Sequence, residues 1–102
     1  MNDDSQLLIP ASFILLYQAQ NGRLTAARQE LAARYELCED MACTLVEHAQ
    51  QLYHGGASSE EGVLAGVHAA LCAQGSALSP AEARWVTLRL GELLAWRSPL
   101  LP

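Results

Sequence analysis

No glycine or proline interrupts the chain between Gly22 and Gly55. Within that stretch Ala27, Leu31, Tyr35, Cys38, Ala42, Leu45, Ala49 and Leu52 recur at steps of three and four. At 3.6 residues per turn they fall within about 100° of one another, which makes one apolar stripe on a helix. The helix is expected from about Thr25, its N-cap, to His54, and it is the spine around which the rest must pack.

Breakers divide what remains. Asn21-Gly22, Gly55-Gly56, Gly75 and Ser98-Pro99 separate four segments, because Gly and Pro are the strongest local punctuation. Segment one spans about Pro10 to Gln20. Its "FILLY" is apolar all round, which suits a fully buried helix or a short strand, and with no second convincing strand it reads as helix. Segment three opens at "SSEEG", where Ser58 and Glu61 have capping-box spacing, and stops at Gly75. Segment four opens "SPAE", with Ser79 as cap, Pro80 in the first turn and Glu82 three residues on, the strongest local signal in the chain. Short linkers imply antiparallel neighbours. The expectation is an all-α fold, a compact four-helix bundle with one long central helix. It would occupy 10–98 as a single domain, with a flexible lead over 1–9 and a C-terminal tail over 99–102. A chain of 102 residues, 51% hydrophobic and rich in Ala and Leu, buries a core without metal or disulfide.

Charge narrows the function. The formal net charge is −5 and all six basic residues are Arg. Such a chain lacks the basic footprint of a nucleic-acid or anionic-lipid binder. Without lysine it cannot form a phosphate-binding P-loop. "GGASS" precedes a helix start, but Glu60 and Glu61 already sit at the positive end of that helix and repel phosphate. The longest apolar run is too short for a membrane span or a signal core. Three cysteines with no secretory segment ahead of them suit a cytoplasmic protein with reduced thiols.

The stretch "YELCEDMACTLVEH" concentrates acids, thiols and a histidine. Cys38 falls on the apolar stripe and reads as a small buried hydrophobe. Glu36, Glu39, Asp40, Cys43, Glu47, Gln50 and His54 fall on the opposite side. They form either a solvated face or an acidic surface that receives a basic partner. A cation held by Glu36, Asp40, Glu47 and His54 is the alternative. Against it, no Glu-x-x-His or His-x-x-x-His occurs, and the cysteine spacing fits no zinc signature. No arginine lies between Tyr35 and Ala83 to neutralise these acids. Nearby carboxylates disfavour a thiolate at Cys43. There is no Gly-x-Ser-x-Gly elbow, and His48, His54 and His68 have no evident acid–base partner. No catalytic residue, cofactor, nucleotide or metal ligand is assigned.

Segment three carries a small face of Gly62, Gly66, Ala69 and Ala73, expected to wedge against segment two and so offset the low helix propensity of its glycines. Segment four has a core stripe of Val86, Leu90, Leu93 and Leu94. Beside it runs Trp85, Arg89, Glu92 and Trp96. Trp and Arg dominate binding hot spots, so this line is either a protein-contact surface or a core margin with Arg89 stacked on the rings.

"ARYELCEDMA", the later "RLGELLAW" and the "IPASF" lead into segment one together resemble a family of small, functionally uncharacterised proteobacterial helical proteins. Members are sometimes labelled ATPases with chaperone activity. The resemblance covers most of the chain and implies a bacterial source and a part in protein handling. Its motifs are of helix-core type, and the phosphate loop and lysine of an ATPase are missing here.

The expected function is therefore non-enzymatic binding of another protein or of a second copy, as an adaptor or chaperone-like accessory. Trp85, Arg89, Glu92, Trp96, Glu36, Glu39, Asp40 and Glu47 are the candidate contact residues. Function by contact predicts no drug-sized pocket of converging polar groups.

Overall fold

A computed structural model of the chain describes residues 8–56, 59–73, 77–97 and 101. The fold is all-α. Helix α1 (Ala11–Ile14) continues as a 3-10 turn (Leu15–Tyr17), followed by the long α2 (Arg28–His54), α3 (Glu60–Ala73) and α4 (Pro80–Leu94). The chain divides into two compact units, Met1–Leu37 and Cys38–Pro102. Most of the expected lead over 1–9, the break at Ser98-Pro99, the stop at Gly75 and most of the tail lie outside the described residues.

In the first unit, the Pro10 carbonyl accepts from the Phe13 and Ile14 N–H groups and starts a single turn of helix. Phe13 is fully buried, its ring 5.6 Å from Tyr17 and 5.5 Å, edge-on, from Tyr35. Segment one is shorter than the expected Pro10–Gln20 helix, and it is not buried all round: Leu15 is exposed. An apolar run without a polar face gives a helix no fixed orientation, and here Phe13 is the residue of the helical turn that is buried. Gly22 at φ +86° turns the chain back, and an isolated antiparallel bridge joins Gln18 to Leu24. Thr25 is not the α2 cap. Its amide and hydroxyl both donate to the Tyr17 carbonyl, and α2 begins three residues later, leaving Ala27 exposed ahead of it.

In the second unit, α2 from Cys38, α3 and α4 share one core. Ala49, Val63, Leu64, Val67 and Leu90 are buried together, flanked by Leu45, Leu52, Leu94 and Trp96. Cys38, Ala42 and Ala49 are inaccessible, as the apolar stripe requires. Each buried Leu or Val contributes about 1.5–3 kcal/mol relative to exposure. Leu93, placed on the α4 core stripe by spacing, is exposed.

Caps set the ends. At α4 the full capping box forms: Ser79 Oγ accepts from the Glu82 N–H at 3.1 Å, and Glu82 Oε1 accepts from the Ser79 N–H at 2.9 Å. At α3 the Ser59 hydroxyl accepts from the Gly62 N–H at 3.0 Å; Ser58, expected as that cap, lies outside the described residues. Helix α4 ends with Ala95 at φ +59°. The Ala95 N–H donates to the Glu92 carbonyl and the Trp96 N–H to the Gly91 carbonyl, a Schellman closure with alanine where glycine is usual.

Candidate functional site

The acids of α2 do not share one fate. Glu36 is exposed and belongs to the first unit. In the second unit Asp40 and Glu47 are exposed, while Glu39 is half-buried. The Arg89 Nε donates to Glu39 Oε1 and its Nη2 to Glu39 Oε2, both at 2.9 Å, and its Nη1 reaches Glu92 Oε1 at 3.1 Å. The expectation that no arginine serves the acidic stretch is thereby corrected, because α4 supplies one from a distant part of the sequence. The Glu39 hydrogen bonds outweigh partial desolvation and, with help from Glu92, raise the guanidinium pKa well above its ordinary value. Arg89, Glu39 and Glu92 are thus engaged with one another.

The tryptophan line also splits. Trp85 is 7% exposed and belongs to the core, whereas Trp96 is half-buried. The Trp96 ring lies 5.2 Å from that of Tyr53 and against the shared core. Of the four residues read as a contact line, Trp85 offers no surface to a partner.

The small face of α3 is not wedged against a neighbour. Gly66 is exposed, and a Cβ built on it meets nothing within 4 Å. Instead an apolar groove of about 370 Å³ opens along α2 and α3. Leu45, His48 and Leu52 line it from α2, and Gly62, Gly66 and Ala70 from α3, backed by Val63 and Val67. His48 is its one polar side chain. The glycines were visible in the sequence, but spacing alone did not show whether they were covered.

A second depression of about 650 Å³ is lined by Tyr53, Ser59, Glu60, Glu61, Ala95 and Arg97. Its size exceeds the expectation of no drug-sized polar pocket. Its walls are exposed or half-exposed side chains, unlike the enclosing pockets that bury most of a small ligand.

Among the described residues, no three His, Cys, Asp or Glu side chains form a group able to hold a metal ion. Glu36, Asp40, Glu47 and His54 are therefore not brought together around a cation. No described helix is long and apolar enough to cross a membrane. One pairing had a sequence signal that was missed: His68 and Cys72, four apart on α3, approach to 3.5 Å.

No known protein family, curated protein or solved structure matches the chain.

Proposed function

We propose that this protein acts by contact, binding a basic amphipathic helix of another protein in the groove along α2 and α3. The observation that carries the reading is the open apolar groove itself. Its Gly62–Gly66 side lets a partner backbone approach closely, and Leu45 and Leu52 offer the apolar contacts that helix-in-groove recognition uses.

Charge favours a basic occupant. From Glu36 to the end of α3 there is no Arg or Lys, while Asp40, Glu47, Glu60 and Glu61 all lie on the two helices that line the groove. Like charge in this arrangement steers cationic partners in and keeps acidic ones out. A role as adaptor or chaperone-like accessory, non-enzymatic and cytoplasmic, agrees with this reading.

Binding of a synthetic Leu–Lys amphipathic helical peptide, with a Leu–Glu peptide of the same pattern as control, tests it. Calorimetric titration should show saturable binding of the Leu–Lys peptide alone, lost in Gly66→Gln, which places a side chain in the open groove. Equal binding of both peptides, or unchanged binding by Gly66→Gln, overturns it. Self-association abolished by the same substitution would assign the groove to a second copy instead.

A further inference from the structure

The three cysteines occupy three different environments. Cys38 is fully buried in the second unit. Cys43 is exposed, with its Sγ 3.9 Å from the Glu39 carboxylate. Cys72 is exposed, and its Sγ lies 3.5 Å from His68 Nε2, one helical turn earlier on α3. His68 is 9% exposed. Among the described residues Cys72 is the polar partner of its ring. A nearly buried imidazole is thus held on a regular helix against a thiol that solvent can reach.

From this geometry we propose that Cys72 is a thiol–disulfide exchange site served by His68, open to low-molecular-weight disulfides. With the ring proton on Nδ1, Nε2 is free to accept from the Cys72 S–H. The attacking sulfur gives up its proton in such exchange, and His68 Nε2 stands 3.5 Å away to take it. His68 takes the thiol proton as the Cys72 sulfur attacks one sulfur of the incoming disulfide. A bond forms between Cys72 Sγ and that sulfur, the original S–S bond breaks, and the departing thiolate takes the proton from His68. Cys72 is oxidised to the mixed disulfide and half of the reagent is reduced to a thiol, so no further oxidant is required. The Cys43 thiol donates to the Glu39 carboxylate, which is itself held by Arg89. Cys38 is out of reach. The site is independent of the contact role proposed above.

The chain carries its own controls. The intact protein is treated with 2-hydroxyethyl disulfide, an uncharged reagent that the acidic surface does not repel, and each cysteine is followed by peptide mass mapping. Cys72 should form its mixed disulfide about tenfold faster than Cys43, since an imidazole stands in reach of its thiol proton, while Cys38 remains unmodified. In denaturant the advantage of Cys72 over Cys43 should vanish, and in His68→Gln it should vanish with helix content retained. If that variant does not fold, the two wild-type ratios decide alone. Reaction of Cys72 no faster than Cys43, an advantage that persists in denaturant, or a folded His68→Gln protein with unchanged Cys72 rate each overturns the proposal.

Discussion

The Arg89 guanidinium closes on both carboxylate oxygens of Glu39 at 2.9 Å each, across fifty residues of chain. The pair ties α4 to α2 by a fork whose planar geometry matches a carboxylate. Both side chains are partly exposed, at 32% and 22%, so solvent screens the pair while its two-bond geometry keeps it specific. It removes one charge from the acidic face that spacing alone assigned to water or a partner.

A double-mutant cycle of Glu39→Gln and Arg89→Met should therefore return a coupling of about 1 kcal/mol, the upper end for exposed pairs. Chemical denaturation of the four proteins measures it. A coupling near zero would mean the fork adds nothing to stability.

Gly66→Ala separates an open from a wedged α3. Nothing lies within 4 Å of the added Cβ, so helix propensity alone acts, and the variant should be more stable by about 1 kcal/mol. A lower melting temperature would place another element against this glycine.

Ala95 holds a left-handed conformation that costs an L-residue about 1 kcal/mol and glycine almost nothing. Its side chain is exposed, so Ala95→Gly loses no packing and should raise stability by about that amount. Thermal unfolding checks the sign.

The two tryptophans should behave unequally. Trp85→Ala empties a buried position and is expected to cost about 3–5 kcal/mol. Trp96→Ala loses a half-buried ring on Tyr53 and should cost about 1–2 kcal/mol, within the usual range for partial loss of packing. Equal effects in calorimetry would contradict their different burial.

The parts of the fold legible in the sequence are those set by local chemistry. The α4 start was visible because Ser79, Pro80 and Glu82 act within one turn. Cys38, Ala42 and Ala49 were placed inside because helical period decides which face is apolar. Segment one misled because "FILLY" has no polar face to orient it, and Thr25 because its hydroxyl finds the Tyr17 carbonyl instead of the α2 amides. The Glu39–Arg89 fork has no local signature, since it depends on which helix lies beside α2. The groove is similar: Gly62 and Gly66 announce a small face, and only packing decides whether it is filled.

The central claim, that the groove along α2 and α3 receives a basic helix, is tested most directly by amide chemical-shift mapping with the Leu–Lys peptide. The largest saturable shifts should fall on Gly62 and Gly66 of α3 and on Leu45, His48 and Leu52 of α2, with the Leu–Glu peptide leaving them unmoved. Shifts centred elsewhere, or the same map from both peptides, would contradict it.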